Sequence, residues 1–270
     1  MTGRVRTALR AVAGALGFLT RVPVGRREAA WSAFAAQPAA AVAPGYVVGA
    51  LAGAVPAVAL AVAPALPAAS VAVAYVLAVY ALAGINNLDG VADCGDAMVV
   101  HGDAARRREV LADTTTGVGA LAAVSLVVVA LALGALALAG TTSLVALGVA
   151  IAAEVGARVA LAGLAAVGAA PHDGLGSALT DDAGPGTAAL ALVAGVPAVA
   201  WPVLTAGPLA TSSVLAGTIG AFVGALAGAT LVGAWARRRL GGPNGDVFGA
   251  ATEVARVAGL HAGVIAWTLS

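Results

Sequence analysis

The chain contains no lysine. All 14 basic residues are arginine, in a composition rich in alanine, glycine and valine, so the choice reflects compositional bias rather than function. There is one cysteine, Cys94. It excludes an intramolecular disulfide, and with no second thiol a thiolate zinc site is disfavoured. Charge of either sign is scarce: 10% of residues are charged and 61% are hydrophobic, whereas a soluble domain carries about 25% charge. The net charge of +1 says nothing about nucleic acid; the lack of a basic, aromatic-interleaved patch points away from such a partner. A Walker-type phosphate loop and a Ser-His-Asp constellation are also missing. The apolar run Ala11 to Leu19 resembles a signal peptide only superficially. Arg21, Arg26 and Arg27 follow it at once without a small-residue cleavage site, so it reads as retained.

What fills the sequence instead is apolar residues in runs of roughly 20, the length that crosses a bilayer. The expected fold is all-α: one integral membrane domain over residues 1–270, with an N-terminal interfacial helix and about six to seven transmembrane helices. The interfacial helix is Arg4 to Thr20. The spans are Val42 to Ala63, Ala68 to Ile85, Val118 to Ala139, Leu144 to Val167, Thr187 to Thr205 and Val214 to Trp235. Whether a last helix, Val247 to Leu269, crosses fully is left open. Pro56, Pro197 and Pro202 should bend their spans. Gly49 and Gly53, and Gly220, Gly224 and Gly228, recur every fourth residue and suit close helix packing. With six spans, 12 of the 14 arginines fall on one side; Arg158 and Arg256 lie within helices. The turns on the other side, 64–67, 140–143 and 206–213, carry no charge. The positive-inside rule places the polar side in the cytoplasm of a multi-pass cell-membrane protein.

Chemistry concentrates between Asn86 and Gly117. In a helix, Asp89, Asp93 and Asp96 share a face with Asn86. At ~6 Å and an effective dielectric near 20, each carboxylate pair costs roughly 2–3 kcal/mol. A hard cation, Mg²⁺ or Mn²⁺, would remove that cost; a solvated acidic face is the plain alternative. Gly90 and Gly95 would let a bulky substrate approach the backbone. Asp103 reads as the N-cap of a short polar helix reaching Asp113, on which Glu109 and Asp113 share a face. Glu154 and Arg158, four residues apart within an apolar span, can pair with each other, or Arg158 can face a phosphate. Asp246 follows a turn dipeptide as an N-cap candidate, and Glu253 shares its face. His101 reads as a loop residue, His172 has no histidine partner, and His261 suits packing. Carboxylates and arginines gathered at one membrane face suit metal-assisted phosphoryl transfer on a bulky or amphiphilic substrate.

Five segments, in order, resemble the cobalamin synthase family. FLTRVPV (Phe18 to Val24) is similar to its N-terminal motif. NLDGVADCGDA resembles the family's HLDGLADxxDG, and REVLADTTTGVGA its LEIMKDSRIGxxG. GLGS (Gly174 to Ser177) matches a Gly-Leu-Gly element, and GGPNGDVFGAATEV resembles GGxTGDxLGAxxEL. Arg158 matches an arginine in the intervening helix. The resemblance implies transfer of adenosylcobinamide phosphate from adenosylcobinamide-GDP to α-ribazole or its 5′-phosphate, with Mg²⁺ as cofactor and GMP leaving. It implies catalytic roles for Asp89, Asp93, Asp113 and Asp246. It implies substrate contacts for Arg21, Asn86, Asn87, Arg158, Asn244 and Glu253. Together with the spacing, it implies Asp89, Asp93 and Asp96 as metal ligands. Asn87, Thr115 and Asn244 depart from the usual His, Arg and Thr; Arg106, Arg107 or Arg108 is expected to supply the missing charge. The expected partners are the two substrates and the lipid bilayer, and an oligomer is compatible with the sequence. The alternatives are a CDP-alcohol-type phosphotransferase and a transporter, which would place polar groups at the midplane in paired repeats.

Overall fold

Alanine and glycine dominate the apolar helices, and they set how closely those helices approach. The computed structural model describes residues 3–25, 27–113, 115–205 and 208–270, which form helices and no strand. Arg26, Thr114, Ala206 and Gly207, which entered the motif and turn readings above, lie outside the described residues. The chain opens with α1 (Gly3–Leu19), α2 (Glu28–Ala35), a 3-10 turn (Pro38–Ala41), α3 (Val42–Val62) and α4 (Ala68–Ala83). It continues with α5 (Asn86–Val99), α6 (Ala104–Leu111), α7 (Val118–Leu138), α8 (Ser143–Val167) and α9 (Leu175–Thr180). It ends with α10 (Pro185–Ala200), α11 (Pro202–Thr205), α12 (Pro208–Arg239) and α13 (Gly245–Thr268).

The architecture is the expected all-α membrane bundle, with fewer clear crossings than the sequence suggested. Among the described residues, four helices, α3, α7, α8 and α12, are long and apolar enough to span, and a fifth span results if α4 and α5, bent by 96°, count as one. Helices α4 and α10 have 16 residues each. At 1.5 Å per residue that is ~24 Å, short of a hydrocarbon core of roughly 30 Å. The expected fifth span breaks because α10 ends at Ala200 and Pro202 starts a new helix. A proline there lacks the N–H that would continue the ladder. Helix α12 begins at Pro208, inside the expected 206–213 turn. Helix α13 carries Asp246, Glu253 and Arg256 and does not reach the apolarity of a span, yet it packs along α12 and α8.

The centre of the bundle is α8, buried along 83% of its apolar stretch, whereas α7 is buried along 22% and turns most of its surface outward. Small residues make this possible. A Cβ on Gly49 would stand 2.7 Å from Ile151 Cα, and one on Gly45 would stand 2.9 Å from Val155 Cα, so α3 lies directly on α8. Gly220, Gly224 and Gly228 of α12 likewise meet Ala262, Ala258 and Val254 of α13. Helix α1 forms as expected, and its small-residue side (Ala11, Gly14, Ala15) is covered by α2 and the 3-10 turn. His261 packs at a helix contact, where its Nε2 donates to Ala130 O at 2.9 Å.

Candidate active site

The polar stretch is aimed by a sharp turn. Gly84 ends α4 with φ +80, a left-handed conformation that favours glycine, and lies against Arg21. Helix α5 then starts at Asn86, turned 96° from α4. A helix with three aspartates is costly to bury in lipid, and α5 lies against the first turns of α13 and α7 at the polar end of the bundle. Two glycines set those contacts. A Cβ on Gly90 would be 2.9 Å from Asp246 Cα, and one on Gly95 would be 2.6 Å from Gly119 O. Both were expected to admit substrate; Gly95 admits a neighbouring helix instead, and Gly90 packs on α13 while also lining the cavity described below.

The carboxylate stripe divides. Asp96 accepts from Gly117 N at 2.7 Å with one oxygen and from Ala120 N at 2.9 Å with the other. Both its oxygens therefore cap the N-terminus of α7, where orphan N–H groups and the helix dipole favour an anion. Asp96 is thereby held at this cap, and the expected triad with Asp89 and Asp93 does not close on one point among the described residues. Asp93 turns toward different neighbours. Burial, then the nearby Asp246, Asp89 and Asp96, pushes its carboxyl up to about 6. Asp246 sits in the first turn of α13, but the N-cap is Asn244, whose Oδ1 accepts from Val247 N at 3.0 Å. The Asn244 Nδ2 donates to Asp246 Oδ2 at 3.0 Å and so orients that carboxylate. Asn244, expected to touch substrate, is buried and acts through Asp246.

A cavity of about 670 Å³ opens beside these groups, with Asn86, Asn87 and Asp246 on one wall and α1 and α2 on the other. Asp113 is not brought to it: it lies after α6 and accepts from Thr115 N at 3.0 Å. Arg21 is exposed over the end of α4, its backbone N–H donating to Leu82 O at 2.7 Å. The three arginines of α6 have structural partners. Arg106 pairs with Glu109 at 2.9 Å, Arg107 donates to Ala97 O and Met98 O, and Arg108 donates to Leu240 O at 2.8 Å. None of the three lines the cavity.

Beneath the cavity lies a buried ionic cluster. Arg256 donates through Nε to Glu154 Oε1 and through NH2 to Glu154 Oε2 at 3.2 Å, and its NH1 reaches Glu253 Oε1 at 2.5 Å. Glu154 therefore pairs with a residue of α13, not with Arg158 as its spacing suggested. The pairing follows from geometry: both carboxylate oxygens meet the flat fork of one guanidinium. Glu253 also accepts from Asn87 Nδ2 at 3.3 Å and from the Tyr80 hydroxyl at 3.4 Å. Glu253 is fully buried and reaches the cavity only through Asn87. Arg158 is fully buried too; none of its three nitrogens has a hydrogen-bond partner among the described residues, and it does not line the cavity. Its charge brings the cluster to two positive and two negative groups. The part played by Arg256 was missed in the sequence, where its spacing of three from Glu253 was the available signal.

The donor set suits a hard divalent ion. Asp89, Asp93 and Asp246 offer oxygen only, and burial, then the neighbouring carboxylates, leave Asp93 reluctant to ionise. Among the described residues, no three His, Cys, Asp or Glu side chains close on one point as a complete site. Mg²⁺ does not need that: it is commonly held by one or two carboxylates, waters and substrate phosphates.

The family described as cobalamin-5-phosphate synthase matches residues 11–264. Over 98% of its length the chain is 51% identical to the adenosylcobinamide-GDP ribazoletransferase of Halorubrum lacusprofundi, covering 99% of that protein. It is 52% identical over 72% of its length to the like-named protein of Halobacterium salinarum, covering 93% of it. It is 42% identical over 96% of its length to that of Haloquadratum walsbyi, covering 98% of it. No solved structure matches the chain.

Proposed function

From its membership of the cobalamin-5-phosphate synthase family, to which this chain belongs, we propose that it transfers adenosylcobinamide phosphate from adenosylcobinamide-GDP to α-ribazole or its 5′-phosphate. A ribose hydroxyl oxygen attacks the cobinamide-side phosphorus, the bond from that phosphorus to the bridging oxygen breaks, and GMP leaves. The hydroxyl proton passes to a carboxylate. Asp246 is the group best suited to accept it: it lines the cavity and is oriented by Asn244. Asn86 and Asn87 hold polar substrate groups on the same wall.

Asp89 and Asp93 would hold Mg²⁺, which when bound neutralises the diphosphate and favours departure of the phosphate. The observation that carries this reading is the meeting of α5 with the first turn of α13, which brings Asp246 beside Asp93 although the two are far apart in sequence. The test is purified protein with adenosylcobinamide-GDP and α-ribazole, scored for GMP release with and without Mg²⁺. Release requiring both substrates and the metal is expected. Turnover unaffected by EDTA would remove the metal.

We place the site on the cytoplasmic face of the cell membrane, because the polar loops carry the arginines and the opposite turns carry no charge. A cysteine introduced as Thr142→Cys should then be labelled only from outside the cell. Labelling from the cytoplasm alone would invert the topology.

A further inference from the structure

Resting on that transfer reaction, we propose that the wall of the cavity formed by α1 and α2 is the seat of the guanine base of the nucleotide substrate. Glu28 and Arg27 read the base edge, and Phe18 and Trp31 supply the aromatic face. None of these four was expected to be functional as a side chain, and the carboxylate chemistry makes no use of them.

The argument begins with size. About 670 Å³ accommodates a nucleotide-sized group, so the bulky corrinoid must remain outside. The occupant is then either the guanine nucleotide or α-ribazole. The lining discriminates between them. Phe18 is 44% exposed and lines the cavity. Its ring centroid is 4.6 Å from that of Trp31, and Trp31 rests edge-on against the buried Phe34 at 5.8 Å. This is a propped aromatic wall, and such walls bind flat bases by stacking.

Stacking alone would accept either base, so the polar groups decide. Guanine offers N–H donors at N1 and N2 and acceptors at O6 and N7. A carboxylate matches the donors and a guanidinium matches the acceptors. Glu28 and Arg27 are adjacent, exposed, and both line the cavity. Neither side chain has a hydrogen bond or ion pair among the described residues. The benzimidazole of α-ribazole, glycosylated on one ring nitrogen, has a single acceptor nitrogen and no N–H. Glu28 would have nothing to accept from it. The pair of charges therefore fits guanine, and α-ribazole is left to approach from the open side of the cavity.

The test measures binding of GMP, IMP and AMP to the full-length protein in detergent by titration calorimetry, alongside turnover. IMP lacks only the N2 amine. In the unsubstituted protein GMP should bind roughly tenfold more tightly than IMP, as expected for loss of one hydrogen bond to a charged group, and AMP should bind more weakly still. Glu28→Gln should erase the preference for GMP over IMP and raise KM for adenosylcobinamide-GDP without raising that for α-ribazole. Trp31→Ala should weaken GMP and IMP alike, again roughly tenfold; Trp31→Phe should restore most of the loss, separating a binding defect from a folding one. A Glu28→Gln protein that keeps its full preference for GMP would overturn the proposal. So would a loss of α-ribazole binding in both variants with GMP binding intact. If the unsubstituted protein shows the Glu28-dependent preference but transfers nothing to α-ribazole, the guanine site stands and the reaction fails. If transfer proceeds and the preference is absent, only the guanine site fails.

Discussion

Two clusters of charge lie close together in this molecule and obey opposite rules. At the polar face, Asp89, Asp93 and Asp246 gather with no guanidinium paired to them among the described residues, and Asp93 is pushed up to about 6 by burial and by its neighbours. In the interior, Glu154 and Glu253 are answered by Arg256, with Arg158 as a second positive charge. The inner cluster is balanced because no ion or substrate can reach it, and an unmatched charge in low dielectric costs several kcal/mol. The outer cluster is unbalanced at an accessible face, where a cation and a phosphorylated substrate can complete it. Like charges left together at an accessible face are thus a sign of an absent partner, and neutral sums in a core are a sign of structure.

The comparison breaks most severely at Arg256. Arg256→Met leaves two buried carboxylates unpaired, and a stability loss of roughly 3–5 kcal/mol is expected, read as thermal unfolding in detergent. Arg158→Met should cost less, since no hydrogen bond is lost with it; an equal loss would mean that net charge, not pairing, governs the core.

At the outer cluster the expectation reverses. Asp93→Asn should reduce ribazole transfer by roughly 100-fold or more and shift its Mg²⁺ dependence, while thermal stability in EDTA holds or rises because repulsion is relieved. A stability loss with intact turnover would assign Asp93 to structure. Asp96→Ala sharpens the contrast, because this neighbour caps α7. It should cost about 0.5–2 kcal/mol of stability and leave the Mg²⁺ concentration giving half-maximal transfer unchanged. A shift in that concentration would return Asp96 to the metal. The smallest effect is expected at Tyr80→Phe. Its hydroxyl bond to Glu253 is long, at 3.4 Å, so a stability loss near 0.5 kcal/mol is anticipated. A large loss would mean that the inner cluster depends on more than its arginines.

The sequence alone determined the class of this protein. Runs of apolar residues have one stable environment, and helices have a period, so the bundle, the glycine faces of α3 and α12, the Asp103 cap and the shared face of Asp89 and Asp93 could all be read from local spacing. The motif order carried the family. Three things required the folded chain. Span lengths were overestimated because hydropathy does not register the break at Pro202 or the turn at Gly84. The separation of Asp96 from Asp93 was hidden because spacing gives a face, and only the approach of α7 decides which carboxylate finds backbone N–H groups. The partner of Glu154 was hidden because Arg158 and Arg256 are equally charged on paper. Tertiary packing brought α13 against α8 and selected the arginine whose fork meets both carboxylate oxygens. Local periodicity is a property of one helix; electrostatic partnership depends on the distance between helices, which only their packing sets.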